Sequence, residues 1–496
     1  MPTPHSFLWH DYETTGLDSR KERPTQFAAI RTDVNLNEIG EPINLICKLP
    51  EDILPSPTAS LLTGILPQKC QEEGVSEAEF ARKIHAEMIK PGTCVLGFNT
   101  LRFDDEFTRN LMYRNLRDPY EREWANGNTR WDIIDMVRTC HAFRPDGINW
   151  PSAEDGSTSF KLDDIARANN LSVERAHDAL SDVRTTIAVA KLVRQAQPKL
   201  FEHMLALREK QPVLTLLQDP ARKALAHVSS AYGKENRCVG LIVPIGPHPT
   251  NKNSFIVADL SVDPAEWLGL DAGEIAEKIQ WQPFEEGKPR PKQFIRVVQA
   301  NKCPALFSAS IVRDGGDRFS FFDLAKIQAN HQAILADTSI LHRAQTAILI
   351  NEEKRMPATD PELGIYSGFI GNQDKAKLKE VLTLSPELLA GRRCGFSDSR
   401  LDTLLFRYRA RNWPETLGPE EREEWNAFCI ERLTTETDLG PRTLDEFRIE
   451  IDKLVENGHA KADSTEVAKL REFADQKQAW VDRFAQAAPR SSSPSP

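Results

Sequence analysis

No cysteine pair with CxxC spacing occurs in the 496 residues; the eight cysteines (47, 70, 94, 140, 238, 303, 394 and 429) are scattered. That excludes a zinc ribbon, argues against a disulfide scaffold, and leaves reduced thiols as the expected state. No apolar run of about 18 residues is present, so a membrane-spanning helix is excluded. The opening Met1-Pro2-Thr3-Pro4-His5-Ser6 has no charged segment leading into an apolar one. A secretory signal is therefore not expected, and the chain is expected to act in the cytoplasm. Basic side chains are outnumbered 63 to 73, for a net charge of −10. This disfavours coating of nucleic acid by bulk charge, although local basic tracks remain open because phosphate binding depends on placement. No repeat of solenoid or propeller period stands out.

What is present suits a globular protein with ample core: 40% hydrophobic and 27% charged residues. At roughly 150 residues per domain, the length corresponds to a little over three domains. Texture separates three sections. In the first, 1–198, Phe7-Leu8-Trp9, Phe27-Ala28-Ala29-Ile30 and Ile43-Asn44-Leu45-Ile46-Cys47 read as consecutive strands. Ser76-Glu77-Ala78-Glu79 is a capping box opening a helix with Phe80, Ile84 and Met88 on one face. Cys94-Val95-Leu96-Gly97 is a further strand, the stretch after Phe103 a helix, and 179–195 a last helix. This order predicts an α/β domain, a mixed sheet with helices packed on it. The second section, 199–350, has strand-like 240–243, 254–257 and 294–298 with a helical insertion near 272–279, and predicts a small β-barrel with added helices. The third, 351–486, is helical, with a capping box at Thr443-Leu444-Asp445-Glu446 and a stop at Asn457-Gly458. The Ser/Pro tail, 487–496, is expected to be disordered.

The richest local signal is His10-Asp11-Tyr12-Glu13-Thr14-Thr15-Gly16. Asp11 and Glu13 lie two apart at a strand end, so both carboxylates project from one face. Neighbouring acids repel, and a divalent cation relieves the repulsion; oxygen-rich sites suit Mg2+ or Mn2+. A lone D-x-E is more often a solvated strand end, but two further pieces join it. Phe103-Asp104-Asp105-Glu106 offers a carboxylate at a strand-to-helix junction, and His177-Asp178-Ala179-Leu180-Ser181-Asp182 begins the last helix. Five positions on a regular helix would turn His177 about 140° from Asp182. Both face one site only if His177 lies in the entry segment, where it could act as a base.

The ordered set D-x-E, F-D and H-x4-D resembles the DEDD exonuclease superfamily in its histidine branch. Stretches 23–33 (RPTQFAAIRTD), 147–151 (GINWP) and 405–412 (LFRYRARN) resemble the bacterial exonuclease I family more narrowly. The resemblance implies a ribonuclease H-like exonuclease domain, an SH3-like barrel domain and an all-α C-terminal domain. It implies processive 3′→5′ hydrolysis of single-stranded DNA to 5′-mononucleotides in repair and recombination, by a monomer. It also implies Mg2+ (two ions, Mn2+ possible) and, as partner, the acidic Phe-ended tail of the single-stranded DNA-binding protein. On this reading Asp11, Glu13, Asp104 and Asp182 hold the ions, with Asp11 between them, and His177 takes the proton from the attacking water. Asp104 is preferred to Asp105 because the ligand directly follows the Phe. Two ions about 3.5–4 Å apart would serve an in-line displacement.

For the DNA track, the expected contacts are Glu13, Arg109, Tyr120, Trp124, Arg138, Arg144, Phe160 and Lys161. Core packing is an even rival for Tyr120 and Trp124, and Lys161 stands where the family leads one to expect Arg. Residues 392–411 carry six Arg against Asp398 and Asp402, a +4 window. Arg400, Arg407 and Arg411 gather on one side of a helix, favouring a nucleic-acid role modestly over an ion-paired face toward 420–424. Two rival readings remain: the same chemistry on RNA, or a non-catalytic scaffold on the same fold.

Overall fold

The computed structural model describes residues 4–172, 178–280, 293–354, 356 and 358–487. Five strands form the first sheet: β1 (Ser6–Thr14), β2 (Pro24–Thr32), β3 (Ile43–Ile46), β4 (Thr93–Gly97) and β5 (Thr129–Asp132), in the order β3-β2-β1-β4-β5. β1 pairs antiparallel with β2 and parallel with β4, so the sheet is mixed, as the sequence order requires. Alternation along β1 decides what each side chain meets. Phe7 and Trp9 join the core shared with Val183 and Ile187 of the helix Ala179–Ala196; Leu8 and Tyr12 join Phe80, Ile84 and Met88 of the helix Glu77–Met88. Ser76 caps the latter helix as expected, but only half of the capping box forms. Glu79 turns outward to Arg82 at 2.6 Å instead of back to Ser76.

The second sheet is wholly antiparallel: β6 (Leu225–Val228), β7 (Val239–Pro247), β8 (Ser254–Asp259), β9 (Ile295–Gln299) and β10 (Ala305–Ser308), in the order β10-β6-β7-β8-β9. The three strands and the 272–279 helix read from sequence are present. β6 and β10 were not legible, being four-residue strands without a bounding turn signature. The helices Leu324–Ala336 and Ile340–Glu353 complete this section. Beyond residue 360 the chain is helical, with Arg400–Asn412, Pro419–Thr434, Leu444–Glu456 and Thr465–Ala487 the longer elements. The Thr443–Glu446 capping box forms in full, and the helix it opens ends at Asn457 with Gly458 at φ 71°. From residue 488 the tail lies outside the described residues.

The four arginines that the helix Arg400–Asn412 contributes to the +4 window are ion-paired rather than presented as a free basic face, which corrects the reading of that face. Arg407 forks onto Asp360 at 2.7 and 2.8 Å, Arg400 pairs with Asp398 at 2.6 Å, and Arg409 with Glu421 at 2.7 Å. Arg411 pairs with Asp52 at 2.7 Å and with Glu362, and Arg432 joins both acids. Arg23 lies 3.7 Å from both Glu77 and Glu362, and Arg114 lies 2.7 Å from Glu77. These charges form a buried seam between the first sheet's surroundings and the helical region. Burial opposes ionisation of Glu362, but Arg411, Arg23 and Arg432 outweigh it and hold its carboxyl well below the usual range. Only the Arg409 pair matches the expected face toward 420–424.

Candidate active site

The acids converge at the end of β1. Asp11 and Glu13 project on the face covered by the helix Ala179–Ala196, which supplies Asp182 from its first turn. Carboxylate oxygens of Asp11, Glu13 and Asp182 all lie within 4.8 Å of one another. A register shift between Glu13 and Thr14 ends the regular pairing with β2 there; bulges of this kind re-aim side chains beside active sites. Asp104 arrives from the next strand. β4 stops at Gly97, Asn99 takes φ 66°, and the helix Asp104–Arg114 opens with Asp104 itself, whose Oδ1 accepts from the Tyr12 backbone N–H at 3.1 Å. The turn between them is clamped by buried Asp132, which accepts from the N–H groups of Asn99 at 2.8 Å and Leu101 at 3.1 Å. Asp132 was not singled out from sequence, where it is one acid among many.

Electrostatics sets these carboxylates apart. Burial, then the charges of Asp104, Glu13 and Asp182, push the Asp11 carboxyl well above its ordinary range. Burial, then Asp182, Asp104 and Asp178, push Glu13 up to about 8. Burial likewise raises Asp104. Acids crowded this way gain strongly from a counter-cation, and an all-oxygen donor set fits a hard divalent ion such as Mg2+ or Mn2+ rather than a thiolate-seeking one. Asp105 points elsewhere. It pairs with Arg122 at 2.7 Å and Arg130 at 2.6 Å, which overcome its burial and lower its pKa. His177 lies outside the described residues; the chain resumes at Asp178, which caps the Ala179–Ala196 helix by accepting from Ser181 N–H at 3.1 Å.

The expected DNA contacts separate into two kinds. Arg109 is only 5% exposed and is held by Glu106 at 2.7 Å and Glu123 at 2.8 Å; to meet a phosphate directly it would first have to leave both. Arg138 is buried and paired with Asp135 at 2.6 Å, and Phe160 packs in the core 5.3 Å from the His141 ring. Arg144 and Lys161 are exposed. Tyr120 and Trp124 do not share an α-helix face, since only a 3-10 turn, Glu121–Glu123, lies between them. Trp124 is 67% exposed. Together with Phe369, 84% exposed and 5.7 Å from the Tyr120 ring, they line a mostly apolar cavity of about 540 Å³. The Arg109 guanidinium lies over the Tyr120 ring, 5.5 Å from its centroid. Phe369 carries no signal in sequence, because its aromatic neighbours are some 245 positions away.

Three family models match in order along the chain: Exonuclease over residues 8–190, the exonuclease I SH3-like domain over 208–348, and the exonuclease I C-terminal domain over 359–477. The chain belongs to the exonuclease I family. It is an exonuclease, with the exonuclease, SH3-like and C-terminal helical domains of that family, so the scaffold reading falls away. Exodeoxyribonuclease I of Escherichia coli (strain K12) is 40% identical over 426 residues, covering 85% of this chain and 88% of the relative. Exonuclease I of Methylocaldum szegediense, described as moderately thermophilic, superposes with a TM-score of 0.86 at 43% identity, covering 97% and 99% of the two chains. E. coli exonuclease I in complex with a dA16 oligonucleotide superposes with a TM-score of 0.86 at 37% identity and coverage of 97% and 99%.

Proposed function

We propose that this protein removes 5′-mononucleotides processively from the 3′ end of single-stranded DNA, with divalent cations held by Asp11, Glu13, Asp104 and Asp182. The observation that carries the reading is the convergence of Asp11, Glu13 and Asp182 within 4.8 Å at one strand end, with the charge of Asp104 acting on both Asp11 and Glu13. Bound there, Mg2+ (or Mn2+) would neutralise phosphate charge and acidify an attacking water. The chain's own part is to fix the four acids on rigid elements. Asp11 feels the charges of the other three acids. Asp104 is tethered by the Tyr12 amide. His177 is assigned the general base by its place in H-x4-D. Trp124, Tyr120 and Phe369 are read as faces on which bases stack without sequence preference, and exposed Arg144 and Lys161 as phosphate contacts.

Relatives support the substrate: the E. coli relative is named exodeoxyribonuclease I, and E. coli exonuclease I was solved in complex with a dA16 oligonucleotide. DNA is therefore favoured over RNA. A further solved structure is of SSB/exonuclease I with an inhibitor, which supports the single-stranded DNA-binding protein as partner. Division at 198, 350 and 486, a monomeric state, and action in the cytoplasm in repair and recombination belong to the same proposal.

The test is product analysis with Mg2+ on matched end-labelled single-stranded DNA, duplex DNA and single-stranded RNA, beside EDTA and the His177→Ala protein. Mononucleotides released from the 3′ end of single-stranded DNA alone, and lost in both controls, are expected. Preferred digestion of RNA, or digestion that survives EDTA, would overturn it.

A further inference from the structure

The turn that follows the acidic strand is held by a residue more than 400 positions downstream. β1 and β2 lose their regular register between Glu13 and Thr14, and Thr14 then faces Pro24, which has no N–H to offer. Thr15 N–H still donates to Arg23 O at 2.8 Å, and side chains add to that pairing. Thr15 Oγ1 accepts from Arg23 N–H at 2.8 Å and donates to Glu22 Oε2 at 2.6 Å. Glu22 is buried, and its other oxygen accepts from Arg442 Nη2 at 2.6 Å. The fit leaves no slack: a Cβ on Gly16 would lie 2.2 Å from Glu22 Oε1. Arg442 also donates to Leu54 O, and its Nε lies 3.7 Å from Glu450. Glu450 in turn accepts from Ser56 Oγ at 2.6 Å, while Ser56 N–H donates to Thr15 O at 2.7 Å. The Thr15–Gly16 turn is thus enclosed by contacts that lead to the C-terminal helices.

We propose that Glu22 and Arg442 are positioning residues for the acid cluster: the C-terminal helical region, through Arg442 and Glu22, fixes the end of β1 and hence the placing of Glu13 and Asp11. Neither touches the reacting atoms. Their action runs through Thr15, two residues beyond Glu13. The proposal rests on the reading of Asp11 and Glu13 as cation-holding residues. It also gives the C-terminal region a part in catalysis that is separate from holding DNA.

The experiment uses full-length, metal-free protein and Mn2+ as the probe, followed by calorimetry, beside steady-state hydrolysis of a 3′-labelled oligodeoxynucleotide. Variants are Glu22→Gln, Arg442→Ala, Arg442→Lys, the Glu22→Gln/Arg442→Ala pair, and Asp11→Asn. Glu22→Gln and Arg442→Ala should each weaken Mn2+ binding roughly tenfold, the lower end for outer partners of metal ligands. Each should lower kcat by a similar factor and leave KM for DNA within about twofold, the signature of lost alignment rather than lost substrate binding. The pair should be no worse than either single change, and Arg442→Lys should recover most of the loss, since a point charge remains for Glu22. If Asp11→Asn binds Mn2+ like the parent, the cation-site reading itself fails. If Asp11→Asn loses Mn2+ while Glu22→Gln and Arg442→Ala keep parental affinity and kcat, the positioning proposal alone is overturned. Should Arg442→Ala not fold, Glu22→Gln and Arg442→Lys decide by the same two measurements.

Discussion

Asp104 and Asp105 are adjacent and both buried, yet their surroundings assign them opposite work. Asp104 meets other acids and one backbone N–H, whereas Asp105 meets two guanidinium groups. Asp104→Asn should therefore cut kcat by at least about 100-fold while leaving the metal-free melting temperature unchanged or higher, because it removes repulsion. Asp105→Asn should do the reverse, costing roughly 3–5 kcal/mol in urea unfolding by leaving Arg122 and Arg130 buried and underpaired. Sequence alone preferred Asp104 only through the family pattern. Nothing in a run of Asp-Asp-Glu says which carboxylate has arginines above it. The raised carboxyl of Glu13 makes a pH prediction. Its folded pKa, about 8, exceeds the usual 4.5, so the metal-free fold holds a proton that the unfolded chain releases. That stabilising difference is complete below about 4.5 and disappears as pH rises through 8. Melting in EDTA should weaken over this window, and the gap between Mg2+ and EDTA melting temperatures should be wider at pH 8.5 than at pH 6. A gap that narrows with rising pH would contradict the assignment.

At the scale of elements, periodicity explains why much was readable. Period-2 alternation put Asp11 and Glu13 on one face, and β1 keeps it up to the bulge. The capping residues Ser76 and Thr443 start their helices where expected. Short elements without caps or alternation were not readable: β5, which ends in Asp132, and the 3-10 turn between Tyr120 and Trp124. That turn matters because it leaves Trp124 exposed instead of packed. Exposed aromatics on a cavity rim contribute little to the fold, so Trp124→Ala and Phe369→Ala should leave the melting temperature within about a degree. Each should weaken single-stranded DNA binding by roughly 1–3 kcal/mol, the scale of one stacked base. Fluorescence anisotropy with a labelled oligonucleotide in EDTA measures this without turnover. Unchanged affinity in both variants would remove the stacking assignment.

For the whole molecule, the helical region is joined to the rest by a buried seam of charge and by apolar packing. Leu54 packs with Leu433, Phe447 and Leu470, and Tyr113 and Leu116 pack with Leu401 and Leu405. Removing residues 351–496 would strip Asp52 of Arg411 and Arg432 and expose those apolar faces. The truncated chain should melt well below the full-length protein and, where soluble, release DNA after fewer nucleotides in the presence of a competitor trap. A truncated enzyme with parental stability and processivity would refute this. Within the intact chain, Glu362→Gln should destabilise by roughly 3–5 kcal/mol, since Arg411 and Arg432 would lose a buried partner.

The sequence by itself determined the chemistry's raw material: a strand end with two carboxylates, a strand-to-helix junction with a third, and a helix start with a fourth, in an order that few folds could use otherwise. Local rules suffice for that, because strand alternation and helix capping act over two to four residues. Only the tertiary structure decided which charges are free to act. The six arginines of 392–411 read as a basic surface until Asp52, Asp360 and Glu362 are brought against two of their guanidinium groups, Arg407 and Arg411. A charge's role depends on what lies within a few ångströms, and those partners are as much as 359 positions away in sequence. The same holds for Arg442 and Glu22, which become neighbours of the acidic strand through folding alone.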